Sequence, residues 1–195
     1  SEAEVTTQGG ANVVVSIPGV PDEQTLDRIQ SSAKLEFRPV IYTAAATAAT
    51  AAPTDGAETA ELSDERTAEP TDASDPAWVT EQMFQDFQDF QCASLLEGTS
   101  AAAPSDEPLI TCDQQGFKYI LGPVAVAGDK ISDATSGYRT NQQGVVTNEV
   151  EIALTLNGEG AEQYADISRK MVGLPEPQNQ LAATLDSRVI VAPRF

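Results

Sequence analysis

Two cysteines, Cys92 and Cys112, and several closely spaced carboxylates are the side chains of this 195-residue chain best able to do chemistry. The chain has no histidine. That removes Ser-His-Asp and Cys-His catalysis, the usual zinc sites and the usual pH switch. Ser16, Ser168 and Ser187 therefore have no imidazole to activate them. Thr111-Cys112-Asp113 sets a thiol beside a carboxylate, which raises the thiol pKa instead of activating it. Two cysteines without a third ligand do not close a zinc site. In an oxidising compartment they fit one disulfide, closing a loop worth about 3 kcal/mol in the chain-entropy model. In a reducing compartment they read as two buried thiols. Glu149 and Glu151 sit two apart on a strand pattern and so share a face. Such a pair could serve a carboxylate hydrolase, but a solvated strand edge is the commoner use. There is no phosphate loop, dinucleotide fingerprint or metal motif. The residues point to a non-catalytic chain with no catalytic, cofactor-binding or metal-binding residues and no cofactor.

Charge narrows the partners. The chain carries 11 basic and 30 acidic residues, a formal net charge of −19. Binding nucleic acid or anionic lipid requires clustered Lys and Arg, so neither is expected. No run of about 18 apolar residues is present to span a bilayer. A start at Ser1-Glu2-Ala3-Glu4, with no initiator Met and no signal peptide, reads as a processed or excised fragment.

The elements follow from periodicity. Residues 2–41 read as strand, strand, helix, strand: Ala3 to Thr7, then Val13 to Ile17, a helix capped by Asp22 with Leu26, Ile29 and Ala33, then Leu35 to Ile41. From Thr43 to about Pro76 alanine, threonine, proline and acids dominate. Nearly half of the acids lie between residues 43 and 107, beside one base, Arg66. Such a segment buries too little surface to offset its ordering entropy and is expected to be disordered. Asp75-Pro76 then reads as a helix start, and Trp78, Val79, Met83, Phe84, Phe87 and Phe90 recur at three- and four-residue steps. That stripe is either a core-facing side or an aromatic groove for guest chains. Short strands are expected at 109–112 and 117–121 around Gly116, and a short helix capped by Asp129 over Ile131 and Ala134. A strand over 150–156, a helix from Asn157 to Gly173 and a hairpin turning at Asp186-Ser187 complete an α+β pattern.

Four stretches carry a resemblance. They are Gly9 to Val20 with Ala33-Lys34-Leu35-Glu36-Phe37-Arg38-Pro39-Val40, and Lys118 to Pro123 with Gly128-Asp129 and Ile131 to Ala134. Then come Val150 to Leu156 into Glu159-Gly160-Ala161 and Tyr164, and Leu181 to Asp186 with Val189 and Ala192-Pro193. In order and wording these resemble the SecD family, and the Ala/Pro-rich insert and the Cys92/Cys112 pair resemble its actinobacterial branch. Ser187 stands where the family usually has Gly, Val191 where it has Ser, and Tyr164 where it has Phe. The resemblance implies an α+β extracytoplasmic domain of a cell-membrane protein. Residues 1–41 would be part of a ferredoxin-like base, and residues 42–195 a head holding the disordered acidic insert 43–76. The family's membrane helices would lie outside this chain. The implied work is to capture emerging, unfolded preprotein and complete its export with SecF, the SecYEG translocon and the proton-motive force. It implies a disulfide between Cys92 and Cys112, a hinge at Arg38, Pro39 and Val40, and preprotein contact at Phe84, Phe87 and Phe90. A secreted binding or adhesion domain that uses the acidic insert is the alternative.

Overall fold

The computed structural model describes residues 5–7, 12–17, 35–45, 62–93, 103–140, 143 and 146–195. The helix expected from Asp22 lies outside these residues, as does the middle of the acidic segment. Among the described residues nine strands form two antiparallel sheets. They are β1 (Val5–Thr7), β2 (Asn12–Ile17), β3 (Leu35–Ala45), β4 (Leu109–Cys112), β5 (Phe117–Leu121), β6 (Ile131–Thr140), β7 (Val146–Leu156), β8 (Leu181–Leu185) and β9 (Arg188–Val191). One sheet runs β1-β2-β7-β6 and the other β4-β5-β3-β8-β9. Two α-helices, α1 (Glu81–Asp89) and α2 (Gly158–Met171), complete the described elements.

The pairing distributes the first forty-odd residues over both sheets. β2 pairs with β7 from Asn12↔Thr155 to Ile17↔Val150. β3 instead pairs with β8 over Leu35 to Pro39 and with β5 over Val40 to Ala45. The boundary expected at residue 41 thus falls inside β3. Among the described strands, the two sheets are the units that pairing defines.

β3 organises the second sheet because it changes both partner and face. Leu35 and Phe37 point into a core with Leu181, Ala183 and Leu185 of β8, Tyr164, Ile167 and Met171 of α2, and Leu154 and Leu156 of β7. Phe37 and Tyr164 meet edge to face, ring centroids 6.0 Å apart. Val40 points the other way, into a second core with Leu109, Tyr119, Leu121, Ala182 and Val189. Between Val40 and Tyr42 the register shifts by one residue. A shift of one exchanges the faces of every later side chain. Tyr42 therefore pairs with Ile120 and leaves the face that Val40 shares with Leu121.

The sheet curls until its two edges meet. Leu109 of β4 and Val189 of β9 share one buried cluster, and Thr111 Oγ1 donates to the Ser187 carbonyl at 2.6 Å. The β8–β9 turn places Asp186 at φ 49° and Ser187 at φ 65°. Two consecutive left-handed residues make the primed hairpin turn that matches strand twist and favours Gly in second place. Ser187→Gly is expected to raise the unfolding free energy by about 0.5–1 kcal/mol, read as a higher urea midpoint at constant slope. The Thr111 bond survives because its acceptor is backbone.

Local signals explain the helices. Thr80 Oγ1 accepts from Met83 N at 3.1 Å and starts α1. Asn157 Oδ1 accepts from Gly160 N at 2.9 Å and starts α2, and Gly173, at φ 86°, follows its end. Three expectations need correction. Asp75 caps a single 3-10 turn, Pro76–Trp78, and the α-helix begins one turn later at Thr80. Residues 131–134 are strand, not helix: only Gly128–Lys130 turns, with no side-chain cap, and the register shift between Ile131 and Asp133 absorbs the spacing that mimicked a helix. The acidic segment is not uniformly without structure. Residues 43–45 extend β3, and residues 62–76 are placed by turns whose acceptors are the acids themselves.

Candidate functional site

The aromatic stripe becomes a platform on one side of β3 and β5. Within α1, Phe87 is buried and Phe84 is 38% exposed; Phe90, just past its end, is half-buried. Phe84 packs edge to face on Tyr42, centroids 5.4 Å apart, and lies 6.2 Å from Phe87. Tyr42 is itself 39% exposed. The register shift in β3 delivers Tyr42 to this side, and the expected set Phe84, Phe87, Phe90 did not include it. What faces solvent is the pair Tyr42 and Phe84; Phe87 supports it from below.

Two devices hold α1 against the sheet. Lys118 on β5 is buried, yet its Nζ donates to the carbonyls of Phe87 at 2.9 Å and Gln88 at 2.7 Å. Those are unpaired acceptors of the helix C-terminus, where a cation also meets the favourable end of the dipole. The same ammonium lies 5.2 Å from the Phe87 ring centroid. Three residues after α1, Cys92 is bonded to Cys112 at the end of β4, with Cα atoms 5.8 Å apart. Replacing both cysteines by serine is expected to cost about 3 kcal/mol and to speed amide exchange in α1 before the rest of the chain. Thermal unfolding and hydrogen exchange of the double variant check this.

Beside the bond, Asp113 makes the hairpin turn. Its Oδ1 accepts from Gln115 N and Phe117 N, both at 2.9 Å, and its Oδ2 accepts from Tyr119 Oη at 3.0 Å. Burial first, and the Asp113 charge second, keep the Tyr119 phenol protonated far above its ordinary range. These groups are fully engaged with one another, an arrangement suited to structure.

A strap formed by residues 62–79 crosses the molecule. Ser63 O accepts from Gln82 N, and Asp64 Oδ1 accepts from Thr80 Oγ1. Trp78 Nε1 donates to Asp72 O at 2.7 Å, with the Arg66 guanidinium 4.4 Å above its ring. Asp72 also pairs with Lys170 of α2 at 3.7 Å. The N–H of Ala77, then the N–H and hydroxyl of Thr71, hold the Asp75 carboxyl below its usual pKa. The contribution of the Asp75 carboxylate to the turn is therefore present at neutral pH and is lost as pH falls through that lowered value. Ala73 sits so close to β5's end that a Cβ on Gly122 would lie 1.8 Å from its carbonyl oxygen.

The expected hinge lies in the middle of β3. Arg38 is 1% exposed and Val40 is fully buried. Arg38 Nε donates to Glu36 at 3.0 Å; Nη1 donates to Glu107 O at 2.8 Å and Gly122 O at 3.2 Å; Nη2 donates to Pro104 O at 3.3 Å. The three residues mark the point where β3 changes partners, and the guanidinium ties that point to two loops.

Among the described residues no group of acids and cysteines could hold a metal ion, and no helix is long and apolar enough to cross a membrane. Glu149 and Glu151 belong to β7, with only their backbone described. The structure does not bring the expected hinge and the aromatic platform into one site. It does bring Tyr42, Phe84 and Phe87 together.

Residues 105–195 match the family model for the SecDF P1 head subdomain. Over 99% of its length the chain is 26% identical to the protein translocase subunit SecD of Streptomyces coelicolor, spanning 45% of that protein. Over 53% of its length it is 33% identical to SecD of Mycobacterium tuberculosis, spanning 17% of it. The chain thus covers less than half the length of these relatives. No solved structure matches it. The chain is thus similar to SecD over nearly its whole length, and its residues 105–195 are what match the SecDF P1 head subdomain.

Proposed function

We propose that this chain is the extracytoplasmic domain of a Sec translocon accessory subunit, and that it captures emerging preprotein by binding it, with no bond chemistry. One observation carries the reading beyond the family match. Tyr42 and Phe84 stand in solvent as an aromatic pair, and a buried ammonium and a disulfide fix the helix beneath them. Aromatic faces held at no further entropic cost grip passing apolar side chains of many sequences. The disulfide supports a compartment on the oxidising side of the membrane. The surrounding negative charge favours guest segments that are neutral or basic.

In this reading SecF, SecYEG and the proton-motive force are the partners and driving force of the whole subunit, and Arg38-Pro39-Val40 is the hinge on which the head moves. A photoreactive side chain in place of Phe84, in the full-length protein reconstituted with the translocon, tests capture. A secretory polypeptide stalled in transit is expected to crosslink there. A stalled polypeptide that reaches the translocon and never crosslinks from position 84 or 42 would contradict it.

A further inference from the structure

We infer that the Tyr42–Phe84 pair selects guest segments that bear Lys or Arg, with the aliphatic stem of that side chain on the rings and its charged head against Glu81. The inference rests on the capture reading and names the class of segment that the same platform prefers. Tyr42 is 39% exposed and Phe84 38%, and the two rings meet edge to face. Exposed ring surface attracts methylene stems and, over a ring face, cations.

The charge beside the rings has one sign. Phe84 stands at the boundary between the two sides of α1. Phe87 lies on its sheet side and is buried, whereas Glu81 and Gln88, each about one turn away, are exposed. Glu81 Oε2 accepts from Ser63 N at 3.3 Å, a neutral partner that leaves the carboxylate charge uncancelled. α1 also carries Asp86 and Asp89 and has no base. Their partners are again neutral: Gln82 Nε2 donates to Asp86 at 2.8 Å and Gln85 Nε2 to Asp89 at 3.0 Å. Helix stability does not explain these two acids, because the C-terminal end of the dipole disfavours negative charge. Among the described residues none of the three acids pairs with Lys or Arg. The bases on either side of α1 are engaged elsewhere. Lys118 Nζ donates to the Phe87 and Gln88 carbonyls, and Arg66 lies over Trp78.

Charge complementarity therefore names the occupant. A neutral apolar side chain uses the rings and leaves the acids of α1 without a cation. An acidic one is repelled by them. Lys and Arg use both, because their stems are apolar and their heads reach beyond the ring edge to a carboxylate.

Fluorescence anisotropy of three labelled, unstructured peptides on the purified chain tests the inference. The peptides share one length and the same leucines, flanked by lysine, glutamine or glutamate. The lysine peptide is expected to bind about tenfold more tightly than the glutamine peptide, one cation–ring contact and one ion pair together. The glutamate peptide is expected to bind more weakly than either. Glu81→Gln, whose amide oxygen still accepts from Ser63 N, is expected to weaken the lysine peptide about threefold and to leave the glutamine peptide unchanged. Glu162→Gln removes the same charge from the exposed side of α2 and is expected to change neither. Equal losses from the two variants would assign the preference to overall charge and overturn the inference. Lysine and glutamine peptides that bind alike, both weakened by the double change Tyr42→Ser and Phe84→Ser, would overturn it and leave capture standing. No binding of any of the peptides would remove both.

Discussion

Arg38→Ala is expected to cost about 3–5 kcal/mol of stability, the penalty for removing one partner from a buried, charged network. The guanidinium is 1% exposed and donates to three carbonyls and one carboxylate. Without it the Glu107, Gly122 and Pro104 carbonyls lose charge-assisted partners, and the Gly122 carbonyl does so in a buried place. Arg38→Lys is expected to recover less than half the loss, because a single ammonium cannot reproduce a planar fork that spans two loops. Urea unfolding of both variants, with the slope compared to wild type, gives the numbers. Arg38→Ala unfolding within 1 kcal/mol of wild type would show that the loops hold themselves and would free this point of β3 to flex.

Gly122→Ala is the second large effect, about 2–3 kcal/mol. Gly122 has no unusual backbone angle to protect, so the cost is one of space. The added carbon meets the Ala73 carbonyl oxygen at 1.8 Å and its carbon at 3.0 Å. Both belong to backbone, which cannot rotate aside as a side chain would. Either the strap lifts or β5 shifts, and the latter disturbs Gly122 N→Pro39 O at 2.9 Å and the Arg38 bond to Gly122 O. The chain has one tryptophan, Trp78, anchored to the strap through Asp72 O. Its emission is therefore expected to shift to the red in Gly122→Ala. Gly158→Ala, where no atom lies within 4 Å of the added carbon, should leave both readouts within about 0.5 kcal/mol of wild type.

What could be read in the sequence was whatever depends on near neighbours. Asn157 before an apolar three-and-four pattern, Gly173 after it, and Asp186-Ser187 between two β-branched runs specified α2 and the terminal hairpin within a residue or two. The cysteine pairing followed from the family resemblance and from the lack of other partners. What stayed hidden depends on distant partners. Nothing local in Leu35 to Tyr42 announces a register shift, since the irregularity is set by β5 on one half and β8 on the other. Tyr42 was missed for that reason, although it completes the exposed aromatic pair. The composition of residues 62–76 argued against order because it counts buried area. It overlooked carboxylates that cap turns and a glycine slot at Gly122, about fifty residues on, into which Ala73 fits. Ile131 and Ala134 suit a helix and an irregular strand equally, and β7 decided between them.

Capture of unfolded chains by the Tyr42–Phe84 platform is measured most directly by fluorescence anisotropy of a labelled polypeptide. The same polypeptide is offered in its folded, disulfide-intact form and in its reduced, carboxymethylated form. The unfolded form is expected to bind the purified chain and the folded form not to bind. The double change Tyr42→Ser and Phe84→Ser is expected to weaken binding about tenfold, two aromatic contacts at roughly 0.5–1.5 kcal/mol each, while leaving the thermal midpoint within a few degrees. Equal binding of both forms, or an unchanged affinity in a double variant that remains folded, would contradict the account.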